Sequence, residues 1–406
     1  MNLLKKNQML KLKRIENSLW FLTLLFLPTQ LGKHLWPEFA YIYSLKIDYL
    51  SPTLYFWDIL VIGLLVIWFC QKPHINKLAL NLLLLFLFTQ ALSLMGAQNL
   101  GAGLVRLEQY TVAGFFGVFL ASGDFKSLSK KILLPLSLGI VGESAIALLQ
   151  FLKGSTLGLW VLGERAFTLS TPGIAKFDFY GYQFLRPYAT FPHPNLLAAY
   201  ILIGVGIMYL VLREKQRVSR LSLMLGCLAV FLSMSRVAIL AGFIALTVLR
   251  RKWLTAIIVI TLMLSPILFT RFTSLFNFDS LTLLRREELM GSAWQMFLAK
   301  PVFGVGLNNF VPVSAGDLLT GPSRFLQPVH NIILLVLSET GIIGLAGFLL
   351  FISYPIKKLI VGRVSPVALV LWFMILFLGM FDHYFLTLPQ GYRLFFLVWG
   401  LSLSFL

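Results

Sequence analysis

Apolar stretches of about 20 residues, the length that crosses a bilayer, recur along the whole chain between short polar segments. They are continuously apolar, which favours helices over the short alternating segments of a membrane barrel. No repeat or low-complexity tract divides the chain, so we predict a single polytopic domain over residues 1–406. The pattern predicts about twelve transmembrane helices, at 18–34, 55–71, 78–95, 103–121, 132–152, 195–212, 219–233, 236–250, 253–270, 331–354, 366–381 and 391–406.

Composition supports an all-α integral membrane protein. Hydrophobic residues make up 58% of the chain, charged residues 12%, and the mean hydropathy is +0.84. So little polar surface excludes a soluble globular protein. The net charge of +18 does not indicate nucleic-acid binding here, because much of the Lys and Arg lies in short connections between spans. Cys70 and Cys227 match no ligand or redox spacing, so we expect neither a disulfide nor a metal.

The cations also orient the chain, because cytoplasmic connections of membrane proteins are enriched in Lys and Arg. We predict a cytoplasmic N-terminus. No small-residue cleavage site precedes Lys33, so we expect the first span to be retained rather than cleaved as a signal peptide. The long extracytoplasmic segments are then residues 35–54, 153–194 and 271–330. The cations assigned to the inside follow the N-terminal tail at Lys72, Lys77, Lys126, Lys130, Lys131, Arg213, Lys215, Arg217, Arg220, Arg250, Arg251, Lys252, Lys357, Lys358 and Arg363.

Segment 271–330 is the largest of these and predicts an amphipathic helix that runs to Lys300 and lies on or near the membrane surface. Gly304 and Gly306 predict a flexible turn, followed by an irregular stretch that ends at Pro328. The apolar face of the helix comprises Leu289, Ala293 and Met296 or Phe297.

The unusual polar residues at span ends and in outside turns gather on the extracytoplasmic side. Ionisable groups at membrane depth cost free energy and are usually retained for a function. Their shared side indicates a site at the outer face. These residues are Arg186, His193, Arg236, Arg286, His330, Asp382 and His383.

Two of these positions favour chemistry. His330 and Asn331 stand where the large loop enters a long apolar helix, and a helix N-terminus favours a neutral imidazole, which can act as a base. A simple helix cap at either residue is compatible with that role. Arg236 follows Ser235 in a tight turn, where its guanidinium would bind a phosphate or carboxylate or else anchor the helix at the interface.

The other positions favour structural interpretations. His193 lies in a Pro-His-Pro context that fixes the backbone, and the neighbouring Asp382 and His383 are not expected to face each other. Glu339 lies nine residues after His330, deeper and on the opposite side of the same helix. The glycines that follow it recur at about one helical turn, which indicates close helix packing. They are Gly341, Gly344 and Gly347.

Taken in order, these motifs resemble the bacterial O-antigen ligase and O-antigen polymerase superfamily over residues 186–347. The resemblance implies a metal-independent, inverting glycosyltransferase of the GT-C type without a cofactor. The motifs are Arg186 through Pro194-Asn195, Ser235-Arg236, Arg286 with Ala293, Pro301, Gly304 and Gly306, and His330-Asn331 followed by Glu339-Thr340-Gly341-Ile342-Ile343-Gly344.

The resemblance also implies roles for single residues. Arg186 and Arg286 would hold a donor diphosphate, and His330 would be the base. Arg286 is preferred over its neighbour because it lies ten residues before Met296, although a slip by one would place the role on Arg285. The remaining candidates for substrate binding are Arg236, Arg285, Asn331, Glu339, Asp382 and His383.

We therefore predict transfer of a polyprenyl-diphosphate-linked glycan to a glycan or lipid-linked acceptor at the outer face of the membrane, with membrane lipids as further partners and no nucleic acid. The motifs do not encode the acceptor, so ligase and polymerase both stay open. The alternative is a secondary transporter or flippase. Arg106, Glu108 and Glu339 within spans favour it, whereas the absence of a repeat between the two halves does not.

Overall fold

The computed structural model describes residues 2–179, 181–211, 217–249, 281–317, 326–363 and 365–405. Helices dominate these ranges. They are α1 (Asn2–Leu25), α2 (Phe56–Cys70), α3 (Lys77–Leu92), α4 (Leu100–Ala121), α5 (Phe125–Lys153), α6 (Pro194–Val211), α7 (Arg217–Leu232), α8 (Arg236–Leu249), α9 (Leu281–Ala299), α10 (Phe310–Asp317), α11 (Ile332–Val361), α12 (Pro366–Gly379), α13 (Tyr384–Thr387) and α14 (Pro389–Leu403).

Five helical segments in the described residues are long and apolar enough to cross a membrane, which confirms the predicted class of helical membrane protein. The total of twelve spans stays a prediction, and the predicted span 253–270 lies outside the described residues. The five segments are Lys77–Gly96, Leu100–Ala121, Phe125–Lys153, Pro194–Val211 and Ile332–Val361. Shorter apolar helices are Phe56–Cys70, Arg220–Leu232, Arg236–Leu249 and Pro366–Gly379.

Short antiparallel strands make up the non-helical structure of the predicted outer segments. The first predicted span is wrong at its end, because α1 stops at Leu25 and residues 32–34 form a strand. Pro28 explains the break, since proline lacks a backbone N–H and disfavours helix in the residue before it. The pairs are β1 (Gly32–His34) with β4 (Thr53–Tyr55), β2 (Tyr41–Ile42) with β3 (Leu45–Lys46), and β5 (Lys176–Phe179) with β6 (Tyr182–Leu185).

The predicted amphipathic helix is α9, and its apolar face is buried where it packs against α11. Leu289, Ala293 and Met296 are all 5% exposed or less, which confirms the period of the pattern. A location on the membrane surface stays a prediction. The stretch predicted as irregular instead contains α10, whose first N–H, that of Phe310, donates to the Glu339 carboxylate at 3.1 Å. That partner comes from a distant helix, so no local pattern could reveal it.

Helix α11 is broken at Gly341, where φ is 62° and ψ is −165°. The segment after α9 fills the break with backbone hydrogen bonds: Ile342 N–H donates to the Pro301 carbonyl at 2.9 Å, and Gly306 N–H donates to the Glu339 carbonyl at 2.8 Å. The expectation that Gly341 serves helix packing is therefore wrong. Gly347 does serve it, because a Cβ there would lie 2.1 Å from Thr89 Oγ1 on α3.

Replacing Gly341 by alanine is expected to destabilise the protein by about 3 kcal/mol or more, because that backbone region is almost exclusive to glycine and crowding adds to the strain. A Cβ at this position would lie 2.3 Å from the Val302 carbonyl oxygen. Thermal unfolding in detergent measures the effect. The matched control is Gly291→Ala on α9, where a Cβ meets nothing within 4 Å. Equal melting temperatures for the two variants would contradict the strain argument.

Candidate functional site

A cavity of about 1300 Å³ opens among the predicted outer segments and the ends of several helices. Its lining brings together predicted site residues that lie up to 197 positions apart in the sequence (186 to 383). Asn331 and Glu339 do not line it. The predicted site residues that do are Arg186, Arg236, Arg285, Arg286, His330, Asp382 and His383.

Arg186 is buried and fixed at the edge of the cavity. Its Nε donates to the Ser233 carbonyl at 2.7 Å, and its Nη2 donates to Asn195 Oδ1 at 2.8 Å. Asn195 Nδ2 in turn donates to Asp382 Oδ2 at 3.2 Å. Arg186 is thereby linked to the tight turn before Arg236 and, through Asn195, to Asp382 in the segment after α12.

Two polar side chains of α5 hold the loop that follows Arg186. Gln150 Oε1 accepts from the backbone N–H groups of Tyr188 and Ala189, at 2.9 and 2.8 Å. Glu143 accepts from the backbone N–H of Thr190 at 3.1 Å and from its hydroxyl at 2.7 Å. A loop with its buried N–H groups satisfied in this way holds a fixed shape, so the position of Arg186 is set before any substrate binds.

His330, Asp382 and His383 form a compact cluster, with one nitrogen or oxygen of each lying within 4.8 Å of the others. The His330 and His383 rings pack edge to face with centroids 5.1 Å apart. His383 Nδ1 forms a 2.6 Å hydrogen bond with the Thr387 hydroxyl, and its backbone N–H donates to Asp382 Oδ1 at 2.9 Å. The sequence favoured structural roles for Asp382 and His383, yet the fold places both against His330.

Burial and nearby charges set the protonation of this cluster. Burial lowers the pKa of His330, Asp382 raises it, and the Arg286 guanidinium lowers it again, with a net downward shift. Burial lowers the pKa of His193 to about 4 and that of His383 to about 3. Burial raises the pKa of Asp382. The positive charges of Arg286 and of the surrounding imidazoles, when these are protonated, have the larger effect, so the net shift of this pKa is downward. The cluster at neutral pH is a carboxylate among neutral imidazoles.

A reaction that uses His330 as a base is expected to keep its full rate at neutral pH and to lose it only in acid. The base must be unprotonated, and its pKa lies below the ordinary value of 6.5. Asp382→Asn removes a charge that raises this pKa, so the acid limb of kcat/KM should move to lower pH. A rate that already falls above pH 6.5, or a limb that Asp382→Asn moves upward, would contradict this assignment.

Of the three arginines on α8 and α9, Arg286 is tied most clearly to the histidine cluster. Its charge acts on the pKa of His330, His193 and Asp382. Arg236 and Arg285 line the same cavity. The concentration of guanidinium groups beside a neutral imidazole suits a doubly charged phosphate ester.

Asn331 and Glu339 hold the framework of the site. Asn331 Oδ1 accepts from the N–H groups of Ile333 and Leu334, at 2.9 and 3.0 Å, which is the predicted helix cap. These two hydrogen bonds occupy the side-chain carbonyl of Asn331. Glu339 is buried against α10. Roles for either residue in substrate binding stay predictions.

Sequence reasoning assigned no site role to Asn308 or Tyr49, and it used Arg106 only as a charge that favours the transporter alternative. Arg106 lines the cavity, donating to the Thr387 carbonyl at 2.8 Å and to Asn308 Oδ1 at 3.3 Å. Asn308 Nδ2 donates to the Tyr49 carbonyl at 2.9 Å. The buried cation Arg106 was a visible signal, but its partners are distant in sequence. His193 also lines the cavity, and its Nδ1 accepts from Asn195 N–H at 3.1 Å, so its structural interpretation stays a prediction.

Comparison with known proteins agrees with the motif pattern. A family model described as O-antigen ligase matches residues 221–349, a range that includes Arg236, Arg286 and His330. No curated protein matches the chain. The match confirms, over residues 221–349, the predicted resemblance to the O-antigen ligase and O-antigen polymerase superfamily.

Proposed function

We propose that this protein transfers a polyprenyl-diphosphate-linked glycan to a glycan or lipid-linked acceptor at the outer face of the bacterial cytoplasmic membrane. One observation carries the proposal: Arg186, Arg236, Arg286 and His330 line the same cavity although they are scattered along the chain. The match to O-antigen ligases supports the same class of reaction.

The arginines supply what the leaving group needs. Cleavage of the bond between the sugar and the diphosphate places additional negative charge on the departing diphosphate. Guanidinium groups bind such oxygens with paired hydrogen bonds, and fixed donors stabilise the charge that develops in the transition state. Arg186 is pre-positioned by Ser233 and Asn195, so it meets this requirement without rearrangement.

His330 supplies the base. Its Nδ1 is buried, so Nε2 is the nitrogen that we assign to accept the proton of the acceptor hydroxyl. The deprotonated oxygen attacks the anomeric carbon from the face opposite the diphosphate, so the configuration inverts. Asp382 stabilises the imidazolium that forms, since its carboxylate lies within 4.8 Å of the imidazole nitrogen.

The apolar flank of the cavity suits the lipid part of the donor. Phe377 of α12 and Phe381, two residues after its end, line it together with Leu240 of α8. A row of three rings runs along the end of α12 and just beyond it, with successive centroids 5.4 Å apart, at Phe373, Phe377 and Phe381. Phe381 and Leu240 are more than 40% exposed, as residues that face lipid would be. A polyprenyl chain could therefore lie along this face while its diphosphate reaches the arginines.

Reconstitution tests the proposal directly. The purified full chain in liposomes receives a polyprenyl-diphosphate glycan together with alternative acceptors, and the products are identified by mass spectrometry. We expect an inverted glycosidic linkage, and we expect the activity to persist in EDTA although two histidines and an aspartate lie close enough to hold a metal. Movement of labelled donor across the bilayer without acceptor, and without any transfer product, would favour the transporter alternative.

A further inference from the structure

The cavity has a second wall that the proposed chemistry does not use. It is formed by the two outer segments that contain β1 to β4 and β5 to β6. We call it the loop wall, and it comprises His34, Lys46, Asp48, Tyr49, Trp160 and Arg165. None of these residues lies within the segment that matches O-antigen ligases.

Contacts between its two segments hold the loop wall in a fixed shape. Asp48 and Arg165 come from different segments and form an ion pair at 3.0 Å, with each side chain about half exposed. The segments are also joined by Thr29, whose hydroxyl donates to the Leu162 carbonyl at 2.7 Å, and by Gln30, whose Nε2 donates to the Gly163 carbonyl at 2.8 Å. The polar groups of this wall therefore stand in a fixed arrangement.

Its position relates to the base through a row of rings. The His383 ring packs against His330 with a centroid distance of 5.1 Å and against Tyr49 with a centroid distance of 5.7 Å. Asp48, the residue before Tyr49 in the sequence, forms the ion pair with Arg165. The wall thus begins two rings away from the atom that removes the acceptor proton.

The charge of Arg286 acts on the histidine cluster and not on the titratable groups of the loop wall. Burial lowers the pKa of His34 and raises that of Tyr49, and the charges of Asp48 and Arg165 act on both groups. Arg286 instead acts on His330 and His193. The charge of Asp382 reaches both Tyr49 and His330, so this distinction concerns Arg286 alone, which lies toward His330.

The chemistry of the loop wall suits a saccharide. A carboxylate accepts hydrogen bonds from sugar hydroxyls, a guanidinium donates to them, and the two together fix their orientation. Aromatic rings offer flat apolar faces with a polar edge, and Trp160 at the rim is 74% exposed.

We propose that the loop wall binds sugar residues of the acceptor glycan and presents the acceptor hydroxyl to His330. This inference rests on the proposed function, because inversion requires the acceptor to approach from the side opposite the diphosphate. The donor glycan offers the same chemistry and is the competing occupant, and the kinetic measurements separate the two.

The kinetic test varies acceptor and donor separately in the reconstituted transfer reaction. Asp48→Ala is expected to raise the KM for acceptor about tenfold or more, the value of a lost hydrogen bond to a charged group, with kcat and the KM for donor retained. A rise in the KM for donor alone, or no change in either, would overturn the assignment. The matched control is Glu38→Ala, an exposed acidic residue of the same segment that does not line the cavity.

A swapped pair separates binding from folding. Asp48→Arg combined with Arg165→Asp keeps an ion pair between the segments but exchanges donor and acceptor. This double variant should fold like the wild type, by thermal unfolding, and still bind the acceptor weakly. Wild-type acceptor kinetics in the double variant would show that the ion pair serves structure alone.

A binding measurement does not depend on transfer. Two lipid-free oligosaccharides, one with the structure of the acceptor glycan and one with that of the donor glycan, are prepared from the surface glycolipids of the bacterium that makes the protein. Each is titrated into the full chain, and binding is measured by calorimetry. Binding of the acceptor oligosaccharide should weaken about tenfold in Asp48→Ala and stay unchanged in Arg286→Ala. If transfer is absent but this dependence on Asp48 is found, the proposed function fails and the saccharide site stands. If transfer occurs and neither oligosaccharide depends on Asp48, the loop wall assignment alone fails.

Discussion

Replacing His330 by alanine is expected to lower kcat for glycan transfer by about a hundredfold to ten-thousandfold, the contribution of a positioned general base. The imidazole is half-buried in the cavity, and the carboxylate of Asp382 lies beside it. Without a base, the acceptor hydroxyl must attack while still protonated. Binding of the donor should be little affected, because the arginines are untouched. Transfer rates and donor affinity are measured on the same reconstituted preparation.

His74→Ala is the matched control for this variant, because His74 is an exposed histidine in the connection between α2 and α3 and does not line the cavity. Both variants should insert into the membrane and unfold at similar temperatures. Full transfer activity in His330→Ala would remove the base from the proposed mechanism. Loss of activity in His74→Ala as well would point to a general effect of the substitutions.

Much of the fold follows from hydrophobic periodicity. Helices α2, α4 and α6 lie where continuous apolar stretches predict them, and the buried face of α9 follows from a 3.6-residue period. The break at Gly341 does not follow, because Gly341, Gly344 and Gly347 share one spacing but have different neighbours. Only the fold shows that the Pro301 carbonyl accepts from Ile342 N–H. Long-range backbone partners leave no local signal.

The candidate site also has a part that the sequence predicts and a part that it does not. Arg186, Arg286 and His330 were chosen by residue type, position at span ends and resemblance, and the fold brings all three to one cavity. Asn195 and Asp382 are 187 positions apart, and no local sequence pattern predicts their hydrogen bond. Asp382 and His383 were judged as neighbours in sequence, whereas their relevant neighbour is His330. Reasoning from the sequence fails for side chains whose partners are distant along the chain.

Replacing Arg286 by alanine is expected to lower kcat for transfer by about a hundredfold to a thousandfold, the cost of losing one fixed donor to the developing charge. Arg286→Lys should recover only part of this loss, because an ammonium keeps the charge but cannot form the paired hydrogen bonds of a guanidinium. Arg285→Ala on the same helix is the matched comparison and should lose less, since Arg286 is the residue whose charge acts on His330 and Asp382. Transfer rates and the Kd for the polyprenyl-diphosphate glycan give the measurement. The reverse ranking, with Arg286→Ala fully active and Arg285→Ala inactive, would move the diphosphate contact by one residue and with it the register of the motif along α9.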